Sequence, residues 1–343
     1  MKIAVVPGDG AGREVVPEAV KVLRASGARL EYEDFDVGAD RWLQTGVALP
    51  DSVFRDLAGA DAILFGAIGD PRVRDPRYAA DVLLRLRFDL DLYANLRPAR
   101  LIDDRLSPLR DVARRQVDLL VVRENTEGLY VGAGGRFRAG TEHEVAVQED
   151  INTYGGVTRI LRCGFEAASR EVCMVDKSNA MTHAGGLWQE RWRALAQEYP
   201  AVATRHLYVD AAAMQLVRDP SQFDVIVTGN LFGDILSDLA AQLIGGMGVA
   251  PSANVNLDTR RGLFEPVHGS APDIAGKGLV NPVGAILSAG MMVRHLGLEA
   301  EAKAIESAVA DAVRAGDCTP DLGGNLSTQA AGDAIASRVG ADD

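Results

Sequence analysis

Short apolar runs alternate along this chain with longer segments whose apolar residues recur every three or four positions. Ile3–Val6, Ala62–Phe65, Leu119–Val122, Val172–Val175 and Val225–Val227 are of the first kind and have the length and β-branched content of buried strands. Helical patterning follows the first of them over about Gly12–Ala25 and returns at Ala285–Leu296. Such alternation predicts an α/β protein on a substantially parallel sheet. Ala250–Pro282 is thick with Gly, Pro, Ser and Asn and reads as a long loop zone of the kind that holds ligands. Gly132–Tyr154, glycine-rich and of mixed polarity, reads as an arm outside the core.

The segment Asp224–Ala240, DVIVTGNLFGDILSDLA, joins this pattern to chemistry. Its strand ends at the turn Thr228-Gly229-Asn230, and the helix that follows carries Asp234 and Asp238 four residues apart. That spacing puts both carboxylates on one helix face, with Cβ atoms roughly 5–6 Å apart. Two carboxylates near the C-terminal end of a strand suit Mg²⁺ or Mn²⁺, which prefer oxygen ligands. The alternative is compensation of the helix dipole on a solvated face.

Composition narrows the class. A chain of 343 residues exceeds a usual single core, so two domains or lobes are expected. The formal charge of −12 argues against a nucleic-acid partner. Cys163, Cys173 and Cys318 are scattered, with no CxxC spacing, so neither a disulfide framework nor a zinc site is indicated and a reducing, cytoplasmic location is expected. No run approaches the ~18 apolar residues of a membrane span. The opening IAVVPG is too short for a signal-peptide core, so no leader and no membrane association are expected.

Gly8-Asp9-Gly10-Ala11-Gly12 follows a strand and precedes a helix, yet it lacks the third glycine of the dinucleotide fingerprint and the acidic residue that completes it. A tight turn is the better reading. Arg87, Arg97 and Arg123 sit near the ends of core segments in an acidic chain. Their planar forks match carboxylates, which suggests an anionic small-molecule site, although each alone reads better as a surface arginine in an ion pair. Tyr130 and Lys177 are candidates for acid–base chemistry, and Asp210, after the apolar HLYV, for a third carboxylate on a cation.

Taken in order, these residues and their neighbours resemble the β-decarboxylating dehydrogenases, the family of isopropylmalate, isocitrate and homoisocitrate dehydrogenases. The blocks are PGDGAGREV, DLYANLRPA, VVRENTEGLY, VDKSNA, YVDAAAMQLV, TGNLFGDILSDLA, FEPVHGSAPDIAGKGLVNP and PDLGG, and they span nearly the whole chain. The resemblance implies a two-domain, non-Rossmann fold. Residues 1–92 and 245–343 would form a discontinuous cofactor-binding domain, and residues 93–244 a dimerisation domain with an arm near 132–154. It further implies that Arg87, Arg97 and Arg123 hold the carboxylates of a substituted malate. Asp234 and Asp238 would bind the metal together with Asp210, which, like Lys177, would come from the other subunit of a homodimer. Lys177 would accept the proton of the substrate hydroxyl, and Tyr130 would protonate the enolate left by decarboxylation. His268, Gly269, Ala271, Asp273, Ile274 and Asn281 would bind the cofactor, with Asn179 also implied. Asp273 would accept from the ribose hydroxyls and repel a 2′-phosphate, which selects NAD over NADP.

The same resemblance bears on the substrate's third carbon. Leu83 and Leu84 stand where isopropylmalate dehydrogenases place leucines against an isopropyl group. Homoisocitrate enzymes have an arginine where this chain has Leu84, and isocitrate enzymes have serine and asparagine where it has Asp81 and Leu83. Asp81 is thus expected to repel an added carboxylate. Two departures point to other malates: Ala80 stands where isopropylmalate enzymes often carry a glutamate, and Arg85 adds charge beside the leucine pair. The implied substrate is 3-isopropylmalate. The alternatives are another 3-substituted malate, homoisocitrate, malate or tartrate, and a non-catalytic regulatory subunit.

Overall fold

The computed structural model describes residues 1–75 and 77–339. Its strands are β1 (Lys2–Gly8), β2 (Glu31–Asp34), β3 (Ala62–Ala67), β4 (Ala94–Arg100), β5 (Asp118–Glu124), β6 (Gly134–Phe137), β7 (Val145–Gln148), β8 (Glu171–Asp176), β9 (Ala203–Tyr208), β10 (Val225–Thr228), β11 (Pro251–Asn256) and β12 (Arg261–Pro266). Ten of them form one sheet in the order β2-β1-β3-β12-β11-β4-β5-β10-β8-β9, and β6 pairs with β7 apart from it. The five apolar runs all lie in strands of the large sheet. Helices Gly12–Ala25 and Val283–His295 answer the two helical patterns.

The sheet is parallel on both flanks and antiparallel at its centre. Pairings β1·β2, β1·β3, β3·β12, β5·β10, β8·β10 and β8·β9 are parallel. Pairings β11·β12, β4·β11 and β4·β5 are antiparallel. Residues 93–244 contribute β4, β5, β8, β9 and β10, and the two outer segments the rest, so the two parts of the chain meet where β11 pairs with β4. Pro98 sits inside β4, where β11 pairs only with Ala94–Leu96, so its missing N–H falls beyond that ladder.

The loop expectation for Ala250–Pro282 fails in its first half, because β11 and β12 lie there. The reason is a strand that is buried yet half polar. Ser252, Asn254 and Asn256 are buried alongside Ala253 and Val255; the first two bond neighbouring strands and Asn256 bonds the Asp91 carbonyl in the turn before β4. Asn254 accepts from Asn95 and Asn125 at 3.0 Å each and donates to Glu265 at 2.9 Å. Residues 267–282 are the loop that remains.

The tight-turn reading of the first glycine cluster agrees with the backbone. Gly8 and Gly10 have φ of 71° and 49°, and a Cβ at Gly8 would stand 2.0 Å from the Ala67 carbonyl oxygen. Close packing there seats the helix Gly12–Ala25 on β1 and β3. The hairpin β6–β7 is exposed along both strands, with Phe137 60% exposed, and stands out from the core as an arm.

Candidate active site

The C-terminal ends of β5 and β10 and the middle of β4 converge on the first turns of the helix Asn230–Leu243. Arg123, at the end of β5, is only 1% exposed and lies across that helix. Gly233 is where it crosses: a Cβ there would come within 2.6 Å of the arginine's Cγ. The guanidinium of Arg123 donates to Asn230 Oδ1 at 3.0 and 2.8 Å and to Asp234. Asp234 also accepts from the Tyr130 hydroxyl at 2.8 Å and lies 3.3 Å from Arg97 Nη1. Arg97 Nη1 reaches Ser237 at 2.8 Å and Asp238 at 3.2 Å. Asp234 and Asp238 therefore share one helix face, as their spacing predicts, and that face is turned to two arginines and a tyrosine.

Burial acts on every group here. It lowers the pKa of Arg123 to about 10, with Arg97 adding to the effect, and it lowers that of Arg97. At Asp234 burial pushes upward, but Arg123, Arg97 and the Tyr130 hydrogen bond together hold the carboxyl below its ordinary value. Asp238 has weaker cationic company, and burial leaves it raised. Burial and the Asp234 carboxylate raise Tyr130, so its phenol stays protonated well into alkaline solution.

Arg87 lies near enough to act on the charges of Arg97, Arg123 and Asp234, and its own ion pair is with buried Glu265 at 2.9 Å. Among the described residues, the Nε donors of both Arg87 and Arg97 are buried without a hydrogen-bond partner. Buried donors left free beside a solvent-reaching carboxylate pair are suited to an anionic ligand.

Lys177 and Asp210 lie outside this constellation in the single chain. They bond each other at 2.7 Å, at the start of the Ser178–Ala180 turn and of the helix Val209–Arg218. Among the described residues of one chain, no three His, Cys, Asp or Glu side chains are grouped to hold a metal. Asp234 and Asp238 form an all-oxygen pair that fits a hard divalent cation when a further carboxylate is supplied from outside the chain.

The loop 267–282 is docked on the start of the fold. Ser270 accepts from Ala11 N–H at 2.7 Å, and the Glu14 carboxylate receives Gly276 N–H at 2.5 Å and Gly278 N–H at 2.9 Å. Inside it, His268 is buried and its pKa lowered by that burial, with Nδ1 2.9 Å from the Gly269 carbonyl and Nε2 without a partner among the described residues. Gly269 faces open space, Ala271 has a left-handed φ of 41°, and Asp273 and Ile274 are exposed. Asn281 is spanned between Asp321, at 2.9 Å, and Val283 N–H, at 3.0 Å. An orphaned imidazole nitrogen beside exposed backbone and a free carboxylate suits an adenosine group. Asn179 is exposed in the turn after Lys177.

Leu83 and Leu84 are half-buried on the helical segment that also carries Arg87. The expectation for Asp81 needs correction. Asp81 and Arg85 line a separate outer hollow of about 630 Å³ with Trp42, Leu49 and Asp51. Arg85 is committed there, bonding Asp51 at 2.6 Å and stacking 4.7 Å over the Phe54 ring. Sequence reasoning also passed over Glu265, which orients Arg87, and Asn230, which orients Arg123. Asn230 was read as a turn residue but opens the helix, and a polar residue at a helix start aimed at an arginine was the available signal.

Residues 2–335 match the isocitrate/isopropylmalate dehydrogenase family. The chain belongs to that family. It is 49% identical to the 3-isopropylmalate dehydrogenase of Corynebacterium efficiens, covering 99% of each chain. It is 47% identical to that of Thermobifida fusca, covering 99% of this chain and 98% of the relative. Among solved structures, isocitrate dehydrogenase from Methylococcus capsulatus superposes with a TM-score of 0.91 at 39% identity, covering 98% of this chain and 99% of that one. This family membership accounts for a mostly parallel, mixed sheet in which the dinucleotide fingerprint fails.

Proposed function

We propose that this protein catalyses the NAD-dependent oxidative decarboxylation of 3-isopropylmalate to 4-methyl-2-oxopentanoate, with Mg²⁺ or Mn²⁺, as a cytoplasmic homodimer. The convergence of Arg97, Arg123, Tyr130, Asp234 and Asp238 carries this reading, supported by full-length relatives named 3-isopropylmalate dehydrogenase. Arg87, Arg97 and Arg123 bind the two carboxylates through the unpaired donors of the first two and the buried fork of the third. Asp234, Asp238 and Asp210 of a second copy hold the metal, which when bound acidifies the 2-hydroxyl and steadies negative charge on its oxygen. Bound through His268, Gly269, Ala271, Asp273, Ile274, Asn281 and Asn179, NAD supplies the hydride acceptor.

Lys177 of the second copy takes the hydroxyl proton as hydride leaves C2, giving a 2-oxo acid with a carboxylate on C3. That carboxylate leaves as CO₂, its bonding pair passes into the enolate, and the Tyr130 hydroxyl returns a proton to C3. The raised pKa of Tyr130 keeps that proton in place until it is needed. Lys177 and Asp210 sit apart from the arginines in one chain, which a shared site explains. Exposed Met214, Val217 and Ile235 on the helices Val209–Arg218 and Asn230–Leu243 supply apolar surface for the second copy. Three free, buried cysteines agree with a reducing compartment. NADH formation from 3-isopropylmalate, other 3-alkylmalates, malate, tartrate, isocitrate and homoisocitrate, with Mn²⁺ present, is the test. We expect the alkylmalates to lead; no turnover of any alkylmalate overturns the reading.

A further inference from the structure

The segment from Arg77 to Asp89 is one helix of mixed winding: Arg77–Ala79 and Arg85–Asp89 are α-helical, and Ala80–Leu84 between them is a π-turn. The Arg85 N–H reaches back to the Ala80 carbonyl, five residues away. The sequence contains the cause. Tyr78, Val82, Leu86 and Leu90 recur every four residues and are 3%, 0%, 0% and 4% exposed. A regular α-helix has about 3.6 residues per turn, so a four-residue stripe drifts by about 40° at each step and about 120° by Leu90. One widened turn absorbs that drift and keeps the stripe on the core.

With the core stripe fixed, the other faces follow. Arg77, Asp81, Arg85 and Asp89 form an outward stripe, in which Arg85 bonds Asp51 at 2.6 Å and Asp89 at 3.4 Å. Leu83, half-buried, stands four residues before Arg87 on a third stripe, and Arg87 bonds Glu265 at 2.9 Å. The helix is pinned towards its end by the Arg87–Glu265 pair and at its start by the Tyr78 hydroxyl, which bonds Asp9, a buried carboxylate that also receives Ala39 N–H at 2.8 Å and Gly69 N–H at 3.0 Å.

We propose that the π-turn Ala80–Leu84 decides which side chains meet the substituent on the substrate's third carbon, aligning Leu83 with Arg87 and turning Asp81 and Arg85 away. This rests on the reading that a substituted malate binds at Arg87, Arg97 and Arg123. Deleting Ala80 removes the extra residue of the wide turn. Tyr78 then stands three residues before Val82, and the two end anchors and the core stripe can no longer all be kept. Relieving that conflict rotates the turn that carries Leu83 against the anchored turn that carries Arg87.

The readout is the ratio of kcat/KM for 3-isopropylmalate to that for unsubstituted malate, measured on purified dimer with NAD and Mn²⁺. An apolar pocket contact of this size is worth about tenfold or more, so deletion of Ala80 lowers the ratio by about that factor while the KM for NAD stays within about threefold. Tyr78→Phe keeps the ring in the core, removes one anchor and lowers the ratio by more than about threefold. If the deletion variant does not fold, Tyr78→Phe decides by the same threshold. Asp81→Ala and Arg85→Ala, on the outward stripe, leave the ratio within about threefold. A wild-type ratio in the folded deletion variant or in Tyr78→Phe overturns the proposal, as does a larger change in either outward variant. The wild type's own preference tests the substrate separately: if it favours another malate, the same variants are scored on that one against malate.

Discussion

The arginine–aspartate group at the ends of β4, β5 and β10 and the loop 267–282 hold their polar atoms in opposite ways. In the first, nearly every charge is already spent within the protein: Arg123 on Asn230 and Asp234, Arg97 on Ser237 and Asp238, Tyr130 on Asp234. In the second, the fastenings are at Ser270, Gly276 and Gly278, while His268 Nε2 is buried with no partner among the described residues and Gly269 and Asp273 are exposed. A site that stabilises charge developing during reaction is served by dipoles and ions fixed beforehand. A site that recognises a whole cofactor is served by donors and acceptors that are still free. The two regions can be pulled apart by substitution.

The largest effect is expected at Lys177. Lys177→Met should lower kcat by about 10²–10⁴-fold at the hydride step, because proton acceptance by a positioned base is worth that much. Tyr130→Phe should spare hydride transfer and slow decarboxylation, releasing some 2-oxo intermediate. Single-turnover NADH bursts with product analysis separate the two, and identical losses at the first step would refute the division of roles. Arg123→Gln should destabilise the protein by about 1–3 kcal/mol, since it leaves the half-buried Asp234 without its main cation. Denaturant titration reads that loss, and a change below about 1 kcal/mol would mean the ion pair is not what organises the group.

On the loop side the effects are smaller and concern selectivity. Asp273→Ala should narrow the preference for NAD⁺ over NADP⁺ by about ten- to a hundredfold in kcat/KM, the worth of charge-assisted hydrogen bonds to ribose. Equal use of both cofactors by the wild type would show that Asp273 does not face the ribose. The smallest effect is a pH slope. Burial lowers the pKa of His268 below its value in the unfolded chain. The unfolded state therefore binds the extra proton more readily, and the stabilisation present above about pH 6.5 is lost as pH falls through and below it. The slope is at most about 1.4 kcal/mol per pH unit, and His268→Gln should remove that share of it. An unchanged slope would place the imidazole in water.

Much of this was legible in the chain before folding. The apolar runs marked β1, β3, β5, β8 and β10 because each is buried on both faces and needs no polar residue. β4, β11 and β12 escaped because ANLRPAR, PSANVN and RGLFEP carry polar side chains whose partners lie in neighbouring strands, a long-range fact with no local signature. At the site, the i,i+4 aspartates were readable from helix geometry alone. That Asp81 faces outward was not, since it depends on a π-turn imposed by a four-residue core stripe. The pairing of Arg87 with Glu265 joins residues 178 apart in sequence, beyond any spacing argument.

The Glu14 carboxylate, on the first turn of the helix Gly12–Ala25, receives two backbone N–H groups from the loop 267–282. A segment tied down in this way has surrendered most of its chain entropy at folding, so a ligand arriving there does not have to order it. Cofactor association should therefore show a modest heat-capacity change and a rate close to that of docking onto a rigid surface. The temperature dependence of binding then reports on apolar contact with the ring system more than on the protein rearranging to meet it.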